Sequence, residues 1–270
     1  MNLIAKLFLL VRKGMYLSLG FIDRDILHRA NPVVIFSYHS VANDDWRFSI
    51  NESTVKKQLT YLRKQFSIIT LNQLSLYLQG KITLDGPAAV ITFDDGYKDI
   101  TRLIPFFKKQ QITPALFILS DSSHFDEKEL GTKREFLTSK EIKDLHKAGW
   151  EIGCHSATHA NLSSVSEKQR TKEILDAKKE LESRLGFTVP YFAYPRGKYN
   201  QNVVRLVKKA KFHLGLTMDD GIISPESNPL KLPRVGVDRT HSFAEFKNAY
   251  SPSVVRFRQC IKRSPAGKYL

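Results

Sequence analysis

Cysteine is scarce: Cys154 and Cys260 are the only two in 270 residues, too few for a disulfide framework. They neither require nor exclude an oxidising compartment. Long apolar runs are also missing. Leu7 to Val11 is apolar, Arg12-Lys13 interrupts, and Met15 to Ile22 is mostly apolar again. No uninterrupted stretch approaches the ~20 residues needed to span a bilayer. A secretory signal would want a longer apolar core and a small-residue cleavage site, and neither is clear. Zinc-finger spacing, aromatic-basic RNA motifs and recognition-helix patterns are absent, which argues against a nucleic-acid partner. There is no internal repeat, no low-complexity tract and no convincing domain boundary.

Acidic residues are outnumbered, and the formal charge of +15 points to an anionic partner: a membrane surface or an acidic glycan. The hydrophobic fraction, 42%, is that of an ordinary soluble globular protein. Residues 1–30 read as an amphipathic or apolar segment. One reading lays it on an anionic membrane, with Lys6, Arg12, Lys13, Arg24 and Arg29 facing headgroups. The other makes it an ordinary helix packed on the domain. Residues 251–270 read as a basic tail, with Arg256, Arg258, Lys262, Arg263 and Lys268.

Between these ends, residues 31–250 alternate strand and helix. Strands are expected at Val33 to Tyr38, Ala89 to Phe93, Thr113 to Leu119, Trp150 to Cys154, Tyr191 to Tyr194, Phe212 to Met218 and Leu230 to Val237. Helices are expected at Ser53 to Phe66, Leu71 to Leu78, Tyr97 to Gln110, Ser139 to Ala148, Ser166 to Leu185, Asn202 to Ala210 and Ser242 to Tyr250. Ser139 is expected as the cap of its helix. The rhythm implies parallel strands with crossover helices in an α/β fold, closed or nearly closed into a barrel. Chemistry in such barrels sits at the C-terminal strand ends. His39, Asp94-Asp95, His155 and Pro195-Arg196 all fall at such ends.

The central stretch is Ala89-Val90-Ile91-Thr92-Phe93-Asp94-Asp95-Gly96. An apolar, β-branched run without alternation reads as a strand buried on both faces, and Asp95-Gly96 turns sharply off it. Two carboxylates at the mouth of a buried strand want a cation, a donor or a proton. Asp219-Asp220-Gly221 shows that the tripeptide alone is weak information. His155-Ser-Ala-Thr-His159 sets two imidazoles four residues apart, facing the same way on a helical or turn-like loop. Two neutral imidazoles and one carboxylate make a divalent-metal site with open positions.

Taken together, these stretches resemble the polysaccharide deacetylase family, carbohydrate esterase family four, also called the NodB-homology domain. Thr92-Phe-Asp-Asp-Gly96 matches its first motif and His155-Ser-Ala-Thr-His159 its second. Phe192-Ala-Tyr-Pro-Arg-Gly197 resembles the third, in the form of the poly-N-acetylglucosamine deacetylase branch, and Leu232-Pro-Arg-Val235 resembles that branch's later strand.

The resemblance implies a distorted (β/α) barrel of about seven parallel strands. It implies a metal-dependent hydrolase that removes an N-acetyl or related acyl group from an amino sugar. The glycan would be a polysaccharide or a lipid-linked sugar. Asp95, His155 and His159 would hold a divalent metal, Zn2+ first, with Co2+, Ni2+ or Mn2+ as alternatives. Asp94 would be the general base, and the Tyr194-Pro195-Arg196 turn would meet substrate and oxyanion.

Two departures stand out. Many relatives open the third motif with an arginine that contacts the catalytic aspartate. Here that position is Ala193, and Arg234 is the replacement charge. The usual late Leu-x-His motif with the general acid is absent, leaving His241 as the candidate and His213 as a lesser one. A non-catalytic glycan- or membrane-binding module on the same fold is the alternative reading. The expected location is the bacterial cell envelope or the periphery of the inner membrane, with the cytoplasmic face open.

Overall fold

The computed structural model describes residues 3–23, 31–124 and 134–264. Seven parallel strands form one continuous path: β1 (Val33–Tyr38), β3 (Ala88–Phe93), β4 (Ala115–Ile118), β5 (Glu151–Cys154), β6 (Tyr191–Ala193), β7 (Leu214–Leu216) and β8 (Val235–Gly236). Their order is β7-β6-β5-β4-β3-β1-β8, and the two-residue β2 (Ser67–Ile68) pairs with the start of β3. Leu216 also bridges Leu232, just before β8, so the two ends of the path approach each other and the sheet curls into a distorted barrel. Every residue of β1 and β3 is buried, as expected of strands covered on both faces.

The helices start where the sequence offers caps. Asn51 caps α2 (Glu52–Gln65) and Thr70 forms a capping box with Gln73 on α3 (Leu71–Leu78). The next cap corrects the expectation of Ser139. Thr138 is the cap of α5 (Ser139–Lys147), because its hydroxyl and the Glu141 carboxylate satisfy each other's backbone N–H groups. The helix expected over Tyr97 to Gln110 is two elements, a 3-10 turn (Lys98–Leu103) and then α4 (Ile104–Gln110). Pro105 lies in the first turn of α4, where its missing N–H costs nothing. The long helix after Ser166 holds as α6 (Glu167–Thr171) and α7 (Ala177–Leu185), joined by a π-helical turn, Lys172–Asp176. α8 (Gln201–Lys209) and α9 (Phe243–Asn248) complete the alternation. The core beneath is aromatic: Phe93, Phe107 and Trp150 pack edge-to-face or tilted. Each such side chain contributes about 1.5–3 kcal/mol by burial.

The C-terminal end departs from expectation, and the N-terminal segment takes the second of its two readings, a helix packed on the domain. Where a basic tail was expected, Pro252–Lys262 is a helix, α10, and its Arg258 is buried. The N-terminal segment is also helical, α1 (Leu3–Ile22), and it docks sideways on α9 and α10. Arg12 does not face headgroups. It is fully buried, with Nε 2.9 Å from Glu245 Oε1 and a 2.7 Å bond to the Thr240 carbonyl. A guanidinium with a carboxylate partner in hand gains more there than on a surface. Tyr16 accepts from Arg258 at 3.0 Å, and Asp23 accepts from the Ser253 hydroxyl at 2.8 Å. The Lys6 side chain, Arg24, Arg29 and Lys268 lie outside the described residues.

Candidate active site

β3 delivers the two carboxylates to opposite duties because the backbone turns between them. The Asp94 N–H still bonds the Tyr38 carbonyl, extending the ladder by one residue. Asp95 then takes φ 72° and Gly96 φ 81°. Aspartate tolerates that left-handed conformation better than most residues. Asp94 meets Arg234, whose Nη1 and Nη2 each bond one carboxylate oxygen at 2.7 Å. Arg234 is fully buried, with Nε donating to the Thr217 carbonyl at 3.0 Å. Burial alone would push Asp94 up, but the charge of Arg234, then that of His155, holds it well below the usual carboxylate range. The sequence-based replacement for the arginine missing at Ala193 is therefore where it was expected.

Asp95 turns instead toward the imidazoles. Its Oδ1 lies 3.4 Å from His155 Nε2 and 3.7 Å from His159 Nε2. One ligand atom from each of the three residues fits within 4.8 Å of the others. Asp95 Oδ1 is buried and accepts no hydrogen bond among the described residues, the condition of a ligand atom awaiting a cation. His155 Nδ1 bonds the Ala193 carbonyl at 2.8 Å, which fixes the tautomer and leaves Nε2 for the site. Burial pushes both histidines down to about 4, with Arg196 and His39 adding to the effect at His159. They are neutral donors near neutral pH, as metal ligation requires. The donor set and its geometry fit a divalent metal with open positions.

The loop that carries the histidines is neither helix nor simple turn. Ser156 has φ 70° and His159 φ 63°, and the Ser156 hydroxyl accepts the His159 N–H at 3.1 Å. Glu173, fully buried on the π-helical turn, accepts the N–H groups of Ala157 (3.0 Å) and Thr158 (2.9 Å). A π-bulge is a common way to aim a side chain at a functional site. Sequence reasoning missed Glu173, since nothing local in a charged helix marks one glutamate among several.

Asp94, Asp95, His155, His159 and Arg234 line a cavity of about 570 Å3. His39, Trp46 and Phe48 also line it, offering apolar faces to a ring-shaped ligand. Of the expected substrate turn, Arg196 lines the cavity at φ 56°. Gly197, at φ 64°, allows the turn to press on Met218, where a Cβ would collide. Tyr194 also lines the cavity, although its N–H is donated to the Leu216 carbonyl and its hydroxyl to the Leu230 carbonyl at 2.8 Å. Pro195 has no N–H and is not among the residues lining the cavity.

His241 lines the cavity, whereas His213 is exposed elsewhere. His241 Nδ1 is 3.0 Å from Asp238 Oδ1, and Nε2 is 3.2 Å from Arg258 Nη1. Burial would raise Asp238, but the charges and bonds of His241, Arg47 and Thr240 hold it well below the usual range. Asp238 was missed, although Asp-x-x-His is present in the sequence. Arg258 was missed because it comes from the supposed tail.

A family model for polysaccharide deacetylase matches residues 81–225, more than half of the chain. The chain belongs to the polysaccharide deacetylase family. Within the family its likeness is to the poly-N-acetylglucosamine deacetylase branch. It is 24% identical to a Staphylococcus aureus protein named poly-beta-1,6-N-acetyl-D-glucosamine N-deacetylase, over 78% of this chain and 81% of that one. Two solved structures share the fold. The deacetylase PplD of Streptococcus pyogenes aligns with TM-score 0.69 and 22% identity, covering 82% of this chain and 99% of that one. IcaB from Ammonifex degensii aligns with TM-score 0.68 and 22% identity, covering 83% and 98%.

Proposed function

We propose that this chain is a metal-dependent deacetylase that removes the N-acetyl or a related acyl group from an amino sugar of a polysaccharide or lipid-linked glycan at the cell envelope. The observation that carries the reading is the pairing of an Asp95-His155-His159 donor set with a second, arginine-clamped carboxylate on the adjacent residue. A divalent ion held there, Zn2+ or alternatively Co2+, Ni2+ or Mn2+, supplies Lewis acidity and acidifies water in the site. Asp94 takes the proton from the attacking water. Arg234 keeps it ionised and fixes both its oxygens, so no rotation precedes transfer.

The amide carbonyl carbon gains the water oxygen and its C–N bond breaks, releasing a carboxylate and the sugar amine. Charge gathering on the carbonyl oxygen is met by the Arg196 side of the Pro195-Arg196 turn. The departing nitrogen needs a proton, and His241 is the residue placed to deliver it: Asp238 holds Nδ1–H, and Nε2, which accepts from Arg258 in the resting site, leaves Arg258, takes a proton from water and passes it to that nitrogen. Trp46 and Phe48 support the sugar ring.

Metal content by elemental analysis, together with turnover of a chromogenic acetyl ester, tests the reading. The expected result is about one metal per chain with turnover that a chelator abolishes and added metal restores. A glycan- or membrane-binding module would show neither metal nor turnover, and that outcome would replace the proposal.

A further inference from the structure

α1 is built inside out for a helix facing water. Its inward side carries Arg12, Tyr16 and Asp23, all buried in polar contacts with α9, α10 and the loop before α9. Its outward side carries Leu7, Leu10, Val11, Leu17, Phe21 and Ile22, which are 42–76% exposed. Projected at ~100° per residue, these residues, with Gly14, Met15 and Ser18, fill one continuous arc of roughly 160° without a charge. Lys13 stands at its border. An ordinary surface helix points its apolar stripe at the core and its charges outward. The reversal cannot be relieved by rolling the helix, because the Arg12–Glu245 pair and the Tyr16–Arg258 bond fix its rotation. Close approach at Gly20, where a Cβ would collide with Asn248, fixes it further.

The surrounding charge says what the face meets. Among the described residues of α1, α9 and α10 with the cap Arg263, every exposed charged side chain is a cation: Lys13, Lys247, Arg256 and Arg263, with Lys262 turned to the buried Asp220. The carboxylates on or beside this layer, Asp23, Glu245, Asp238 and Asp220, are buried, and Asp220 pairs with Arg258 and Lys262 of α10. A second copy of the chain docked here by a two-fold axis would set this cationic rim against itself. An anionic lipid surface complements it. α1 is bonded to the domain through Arg12 and Tyr16 and, just past its end, Asp23, and no helix among the described residues is long and apolar enough to cross a membrane.

We infer that the outward face of α1 lies in the interfacial layer of an anionic bilayer, with its apolar arc at the acyl boundary and the flanking cations at the headgroups. Attachment comes from apolar insertion, with charge as the selector of the lipid. On its inward side Tyr16 touches Arg258, a cavity-lining residue, so docking holds the cavity beside the membrane. The docking does not rest on the deacetylase reading.

Vesicle flotation of the full chain, with phosphatidylcholine alone and with phosphatidylcholine plus phosphatidylglycerol, tests the inference. The variants are Leu10→Gln/Phe21→Gln, neutral changes at exposed positions, and Phe21→Trp as a fluorescent reporter. The parent is expected to float with anionic vesicles, and the double variant to lose about tenfold or more in partitioning at an unchanged melting temperature. The emission of Phe21→Trp should shift to the blue on adding anionic vesicles. Unchanged partitioning of the double variant, or an unshifted emission, would overturn the inference. So would a dimer in sedimentation equilibrium that the double variant dissolves without any vesicle binding in the parent, since a second copy would then cover the face. None of these readouts uses turnover.

Discussion

Arg234 and Arg12 are both fully buried, and each grips a carboxylate, yet they serve opposite ends. Arg234 stands under the barrel mouth and bonds both oxygens of Asp94, a group that lines the cavity. Arg12 stands between the barrel and an outer helix, and its partner Glu245 already serves as half of a capping box with Ser242. A buried ion pair is no evidence of function by itself, because desolvation offsets most of its Coulombic gain. What separates the two is the neighbourhood. Around Asp94 stand a second carboxylate and two neutral imidazoles, while around Glu245 stand a cap hydroxyl and a helix end.

The comparison breaks most visibly at the metal donors. His155→Ala or His159→Ala should leave the protein folded, without stoichiometric metal by elemental analysis and without turnover. Full metal occupancy in both variants would mean that the donors lie elsewhere.

Next in size, Asp94→Asn should keep the metal and lose about 100- to 10,000-fold in kcat, the usual worth of a general base. Arg234→Met should lose turnover and stability together, since it leaves Asp94 charged and unpaired in the interior. Near-normal kcat in Asp94→Asn would remove Asp94 from the chemistry.

Arg12→Met sharpens the contrast. Breaking a buried pair from one side costs about 3–5 kcal/mol, so the denaturant midpoint should drop. The kcat of the folded fraction should stay that of the parent. A kcat that falls as it does in Arg234→Met would erase the distinction between the two arginines.

The smallest effect is on pH. Burial alone would raise Glu245, but bonds from Ser242 and the charge of Arg12 outweigh it and hold it below its ordinary value. The pairing therefore contributes fully above the unfolded glutamate value of about 4.3, and is lost as pH falls through the lower folded value. Amide hydrogen exchange in α1 should accelerate as pH drops below about 4, relative to the intrinsic rate. In Glu245→Gln that pH dependence should vanish. If it persists there, another group holds the helix.

Much of the barrel was legible in the sequence because its signals are local. The all-apolar runs at Val33 and Ala89 mark strands covered on both faces, and the carboxylates and histidines follow their strands directly. Arg234 was legible only as a replacement for a residue missing at Ala193. What was not legible depends on partners far along the chain. Arg12 looks like a surface cation until Glu245, 233 residues later, is brought beside it. Arg258 looks like tail until Tyr16 and His241 meet it. Glu173 gains its role from a π-turn that no short window reveals. Tyr194 shows a different limit: a motif names a turn, but the ladder decides which N–H groups of that turn are already spent.

The central claim is that Asp94 and the Asp95-His155-His159 set together remove an acyl group from an amino sugar. Mass spectrometry of N-acetylglucosamine oligomers incubated with the metal-loaded protein tests it most directly, beside the chelated parent and metal-loaded Asp94→Asn. The account predicts products that have lost acetyl groups with the loaded parent, and intact oligomers with the other two over the same time. Intact oligomers throughout, or equal acetyl loss in Asp94→Asn, would contradict it.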